Sequence, residues 1–384
     1  MKTIARLTCT AAAAAAAAAG VAAFAAPANA ASSHQDGGSR PDAHAVFVQT
    51  DDPAGNHVVA YQRRSDGSLS LEKSYATGGI GGVLAGSVVD HLASEGAMAY
   101  DPHRSLLYAV NAGSDTVSVF AVQGDEIELR QVVRSGGTFP VSIALHGDRV
   151  YVLNAEDGGS IQGYVVFDDR LLPVKAWNRP LGSDPVATPQ FTHTPGQVLV
   201  TPDGSKLVVT TKAASDSIDV FGLDHWGGPS AQPVVNAKPG SVPFGAAFDS
   251  TGNLAVTETG LGALTTYRID RQGKLTQLSS VPSGQKATCW VAVDGDLLFA
   301  SNAGSANVSG YRSDGTGDLA LLGATATDAG TVDATTSPDG KYLYVQAGAA
   351  GIVDEFALNR DGSLTAIGAV TVADAAGAEG IIAT

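Results

Sequence analysis

Short apolar runs separated by polar turns fill most of this chain, and their lengths predict strands rather than helices. Ala45-Val46-Phe47-Val48, Val150-Tyr151-Val152-Leu153 and Leu207-Val208-Val209-Thr210 are strand-sized, rich in β-branched and aromatic residues, and bounded by Gly, Asp, Asn or Pro. From Ala45 onward no stretch carries the 3.6-residue period of an amphipathic helix. The turns are explicit: Pro202-Asp203-Gly204, Pro338-Asp339-Gly340, Asp66-Gly67 and Asp361-Gly362 are tight-turn sequences in which Gly supplies a positive φ.

The runs also repeat. The clearest copy is Leu106-Leu107-Tyr108-Ala109-Val110-Asn111-Ala112-Gly113-Ser114-Asp115-Thr116-Val117-Ser118-Val119-Phe120, a strand, a Gly/Ser turn and a second strand closed by an aromatic. Aligning the copies on that aromatic gives Tyr61, Phe120, Tyr164, Phe221, Tyr267, Tyr311 and Phe356, spaced 44 to 59 residues apart. Such a period is close to one four-stranded propeller blade, so the pattern predicts an all-β, seven-bladed β-propeller. A fourth, outer strand follows Gly67-Ser68-Leu69, Gly273-Lys274-Leu275 and Gly362-Ser363-Leu364. The first copy starts at its second strand, and Glu379-Gly380-Ile381-Ile382-Ala383-Thr384 is a spare innermost strand. Placing it in the N-terminal blade closes the ring and leaves no sheet edge. A chain of 384 residues suggests two or more domains by length, whereas the repeat argues for one continuous ring over 44–384.

Composition adds an address. Lys2 and Arg6, an alanine-rich run from Ala11 to Ala26, and Ala28-Asn29-Ala30 have the parts of an export signal over residues 1–30. A membrane anchor is the alternative, but a spanning helix needs about 20 apolar residues, and Pro27 with its small neighbours suits a cleavage site. Residues 31–43, rich in Ser, Gly, His and Asp, are expected to form a disordered lead-in. Cleavage removes Cys9 and leaves Cys289, so an internal disulfide is not expected even in an oxidising, extracellular setting. It also takes the net charge from −15 to −17, because Lys2 and Arg6 leave with no acids. No basic run appears, which argues against nucleic acid and against anionic membranes as partners. A secreted, monomeric protein facing a small molecule or an extracellular ligand is the expectation.

These residues resemble the seven-bladed lactonase propeller family, which includes 6-phosphogluconolactonase and fungal carboxymuconate-lactonizing enzymes. The likeness spans about Ala45 to Thr384 and rests on the Pro-Asp-Gly turns, Asn111-Ala112-Gly113-Ser114, Asn302-Ala303-Gly304-Ser305 and Pro195-Gly196-Gln197-Val198. A secreted bacterial branch, often labelled lactonase or 3-carboxymuconate cyclase-like, is similar at Leu92-Ala93-Ser94-Glu95-Gly96, Pro140-Val141-Ser142, Pro243-Phe244-Gly245 and Cys289-Trp290-Val291. The resemblance implies a secreted lactonase-like hydrolase.

A propeller gathers equivalent residues of all blades around one axis. At the start of the innermost strands stand Glu95, Ser142, Gln197, Phe244-Gly245, Cys289-Trp290, Asp333 and Glu379; after the second strands stand Gln49, Asn111, Asn154, Lys212, Glu258, Asn302 and Gln346. Lactone hydrolysis needs a base for water and a donor for the oxyanion. Val256-Thr257-Glu258-Thr259 is similar to the family's Asn-Glu-Leu segment, which implies Glu258 as the base. Lys212, the single cation among these positions, is the candidate donor. Glu95, Asn111, Asn154, Gln197, Asn302 and Asp333 are candidate substrate contacts, and Trp290 a stacking platform. The family places His where this chain has Gly196, and an Arg-His pair at Phe244-Gly245; His193, three residues earlier, is a candidate replacement. An acidic ring without Arg disfavours phosphorylated or carboxylated lactones, leaving a neutral or sugar-derived one. Each residue has a structural alternative: Glu258 and the asparagines as turn residues, His193 as a loop residue, Cys289 as a buried apolar one. No cofactor is indicated, and the carboxylates, although suited to Ca²⁺ or Mg²⁺, lack a compact loop motif. The competing function is a non-catalytic binding or surface-interaction propeller, since the run from Tyr108 to Val119 is also similar to repeats of bacterial surface-layer and adhesion propellers. Quinone-dependent redox chemistry ranks last, without vicinal cysteines or an Arg-rich channel.

Overall fold

A computed structural model describes residues 44–384; the proposed export signal (1–30) and lead-in (31–43) lie outside the described residues. The described chain is a ring of seven antiparallel sheets. Innermost strand first, blade 1 holds Ile381–Ala383, Ala45–Gln49, His57–Arg63 and Leu69–Ala76; blade 2 holds Met98–Asp101, Leu106–Asn111, Thr116–Gln123 and Glu126–Arg134. Blade 3 holds Pro140–His146, Arg149–Asn154, Ser160–Phe167 and Arg170–Pro173, with a short extra strand, Arg179–Pro180, on Ser160–Phe167. The innermost strands of blades 4 to 7 are Gln197–Val200, Pro243–Phe248, Thr288–Asp294 and Thr331–Thr336.

Closure is as the sequence pattern predicts: Val46, Phe47 and Val48 pair with Ala383, Ile382 and Ile381. The Asp-Gly-Ser turns hold through a side-chain bond: Asp66, Asp203 and Asp361 each accept the backbone N–H of the serine two residues on, at 3.0 Å. That bond favours the turn over strand continuation.

The repeated aromatics explain how blades stay together. Tyr164 and Tyr311 are fully buried, and each donates its hydroxyl to a carbonyl at the end of the preceding blade, Arg134 (2.6 Å) and Val281 (3.5 Å). In five blades the outer ladder shifts register immediately before the aromatic, at Tyr61, Phe120, Tyr267, Tyr311 and Phe356. A bulge there re-aims the ring into the seam between sheets. No helix among the described residues is long and apolar enough to cross a membrane.

Candidate functional site

Antiparallel meander connectivity brings the starts of all innermost strands to one face around the axis. Most connections leading to those strands are short: 135–139, 238–242 and 283–287 hold five residues each. The connection from blade 1 to blade 2, residues 77–97, holds 21 and forms no strand. Its last part lies across the axis, because its contacts reach blades on opposite sides of the ring. The Ser94 hydroxyl donates to Val141 O in blade 3 at 2.9 Å, the Glu95 N–H to Gly196 O before blade 4 at 3.1 Å, and the Trp290 indole N–H in blade 6 to Ser94 O at 2.6 Å. Glu379, leading into blade 1, accepts the N–H groups of Gly96 and Ala97 at 2.8 and 3.2 Å. Asp90 shapes this crossing by accepting the N–H groups of Leu92 (2.7 Å) and Ser94 (2.9 Å).

Glu95 occupies the volume that a side chain at Gly245 would need. One of its oxygens accepts the Val291 N–H at 3.1 Å. The place where the family carries an Arg-His pair is thus filled, in this chain, by a carboxyl from another blade's connection. Lys212 is buried, and its ammonium donates three bonds: to Ala93 O at 2.5 Å, Phe191 O at 2.6 Å and Thr194 Oγ1 at 2.9 Å.

Five buried carboxyls gather here: Asp51, Asp90, Glu95, Asp333 and Glu379. Burial, which penalises the charged form, pushes Asp51 up to about 8, Asp90 to about 6 and Asp333 to about 7. Burial and then the charge of Asp333 raise Glu95 and Glu379 well above the ordinary glutamate range. Asp333 and Glu379 lie close together, since Asp333 Oδ2 accepts the Ile381 N–H at 3.2 Å two residues beyond Glu379, and burial with their mutual repulsion favours the protonated form of each. Burial brings Lys212 down to about 7 against the opposing pull of Asp90, and pushes Cys289 up to about 12, which makes the thiol inert near neutral pH. No group of three or more His, Cys, Asp or Glu disposed to hold a metal ion is found among the described residues.

The expected site residues divide into two sets. Glu95, Gln197, Trp290, Asp333 and Lys212 meet at the axis, where Gln197 Oε1 accepts the Ala246 N–H at 2.6 Å and so ties blade 4 to blade 5. Asn111, Asn302 and Glu258 turn instead into their own blades. Each bonds the hydroxyl seven residues on: Asn111 to Ser118 (2.8 Å), Asn302 to Ser309 (2.9 Å) and Glu258 to Thr265 (2.7 Å). The second oxygen of Glu258 accepts the Tyr267 hydroxyl at 2.6 Å, so both are engaged. Asn154 reaches Ser135 O at 3.4 Å and Ser160 at 3.4 and 3.5 Å, again within the sheet region. His193 sits half-buried in the loop before blade 4, its Nδ1 near Pro189 O and Thr192 Oγ1, each at 2.9 Å. Its neighbours Phe191 and Thr194 hold Lys212, but its ring does not. Asp90 and Asp51 were outside the sequence expectations. The length of the connection before Met98, about four times that of the five-residue connections, is the signal that could have pointed to Asp90.

A family model described as "Lactonase, 7-bladed beta-propeller" matches residues 81–258 and 253–379. No curated protein matches the chain. Among solved structures, the periplasmic gluconolactonase of Pseudomonas aeruginosa superposes with a TM-score of 0.72 at 17% identity, covering 88% of this chain and 98% of that one. A candidate 6-phosphogluconolactonase from Bacteroides fragilis gives 0.69 at 20% identity, covering 90% and 99%. A protein from Lactobacillus plantarum gives 0.70 at 18% identity, covering 89% and 99%.

Proposed function

We propose, since this chain belongs to the seven-bladed β-propeller lactonase family, that it hydrolyses a neutral, sugar-derived lactone at the ring axis. The observation that carries this reading is Lys212, whose buried ammonium already holds a carbonyl oxygen, that of Ala93, on the face where the buried carboxyls of Asp333 and Glu379 lie close together. In the reaction the ionised member of the pair takes a proton from water as its oxygen attacks the ring carbonyl. Lys212 donates to the carbonyl oxygen as it becomes an oxyanion. Collapse breaks the ring C–O bond, the carboxyl pair returns a proton to the departing alkoxide, and a hydroxy acid results.

Charge supports the neutral substrate. Buried carboxyls surround a single lysine that three of the protein's own oxygens already engage, so a phosphate finds no free cation to pair with in a partly desolvated site. The periplasmic gluconolactonase among the similar structures is consistent with a neutral sugar lactone and with export; secretion through residues 1–30 and a monomeric state belong to the same proposal. Hydrolysis of this kind needs no cofactor, and a surface of net charge −17 after cleavage disfavours nucleic acid and anionic membranes.

The test is turnover of aldonolactones and acyl lactones by wild type, Asp333→Asn and Glu258→Gln. Loss of about 10²–10⁴ in kcat for Asp333→Asn alone supports the pair as base. The same loss in Glu258→Gln alone moves the base to Glu258. A second reading, a binding propeller without chemistry, is favoured by the saturation of Lys212 by the protein's own groups. Absence of turnover across the panel would select it.

A further inference from the structure

We infer that residues 86–96 form an autoinhibitory strap that occupies the axial site as an internal substrate mimic and swings out before a ligand enters. This rests on the axial site just proposed. The strap satisfies the groups that a lactone would use: Ala93 O sits on Lys212, and the Gly96 N–H sits on Glu379.

Its seat is built by glycines in the ring. Gly348 leaves room for Val89 O, Gly377 for the His91 ring and Gly245 for the Glu95 carboxyl; a Cβ at any of the three would collide with the strap. Its ends have the joints a hinged segment needs, Gly86 and Gly96, at φ 86° and 85°. Between them no strand ladder holds the backbone, which is tied to the ring by single bonds such as the His91 N–H to Gly377 O at 2.7 Å; Val88 is 80% exposed, while Asp90 and Leu92 to Glu95 are buried. Segments with few ladder bonds belong to the low-stability end of a fold.

The strap also carries its own release. Asp90 and Glu95 face Asp51, Asp333 and Glu379 on the ring, with Lys212 the nearby cation, Cys289 an inert thiol, and His91 packed against Gly377. Ionisation of these acids sets like charges against one another with one lysine to offset them.

Two native reporters lie beneath it. Val89 packs on the cluster of Phe244, Cys289, Trp290 and Val332, and the Trp290 indole holds Ser94 O. Burial is the main cause of the inertness of Cys289, so its thiol becomes both reachable and reactive toward a thiol reagent when the strap leaves.

The experiment is alkylation of full-length protein with iodoacetamide, without substrate, the labelled cysteine identified by peptide mapping. Wild type is compared with Asp90→Ala, which removes the bonds to Leu92 and Ser94, and with Gly348→Ala, which crowds Val89. Labelling of Cys289 that is insensitive to low urea, and at least about tenfold faster in both variants while the melting temperature of the ring holds, supports a strap that opens locally. Labelling that follows global unfolding in all three proteins overturns it and makes the segment a fixed plug. Because no lactone is present, a mobile strap in a protein that turns over no lactone would overturn the lactone reading and leave the strap standing.

Discussion

At the scale of single residues, chemistry and architecture separate by what each side chain touches. Glu258 carries the family's glutamate signature, yet Thr265 and Tyr267 engage both its oxygens, and Asn111 and Asn302 make the same reach to a hydroxyl seven residues on. A shared bond pattern in three blades marks a device that pins the third strand. Glu258→Gln is therefore expected to cost about 1–2 kcal/mol of stability while leaving turnover within about twofold, measured by urea unfolding beside a lactone assay. Asp333→Asn is expected to do the reverse. Motif likeness made Glu258 conspicuous, whereas the rank of Asp333 and Glu379 depends on burial and on mutual proximity, and neither is written in a local motif. Gly245 is the instructive middle case: the sequence shows that a side chain is missing there, and the fold shows that Glu95 fills the gap.

Among elements, the strands were legible because each strand needs an alternating or apolar run and each turn needs its Asp and Gly, and both requirements are local. The closing strand was legible for the same reason, as an unpaired apolar run at the end of the chain. Deleting Glu379–Thr384 removes the pairing with Val46 to Val48 and uncovers Ala45–Gln49, so the melting temperature is expected to fall by more than about 10 °C in a thermal scan. An unchanged melting temperature would remove the closure from the account of stability. The strap was not legible as an element. Its shape comes from Asp90 caps, Gly joints and contacts with distant blades, which leave no periodic trace beyond the length of the connection.

For the whole molecule, the net charge predicts solubility and partner class, but the pH response comes from the acids buried at the axis. Asp51, Asp90 and Asp333 have folded pKa values above the ordinary 3.8, at about 8, 6 and 7. A raised folded value contributes stability that is present below the unfolded pKa and is lost as pH rises through the folded one. Lys212, lowered from 10.5 to about 7, acts in the opposite sense: its contribution is full above 10.5 and is lost as pH falls through about 7. Asp51, Asp90 and Asp333, joined by Glu95 and Glu379, outweigh one amine. The melting temperature is thus expected to fall as pH rises from about 5 to about 8, and Asp51→Asn is expected to flatten that slope. A flat or rising profile over the same window would count against the axial acid cluster. The most direct measurement of the central claim is hydrolysis of a neutral aldonolactone and its phosphorylated counterpart, followed by pH-stat for wild type and Asp333→Asn. The account predicts turnover of the neutral lactone, at least about tenfold weaker kcat/KM for the phosphorylated one, and a loss of about 10²–10⁴ in kcat in the variant. Equal use of both lactones, or equal turnover by both proteins, would contradict it.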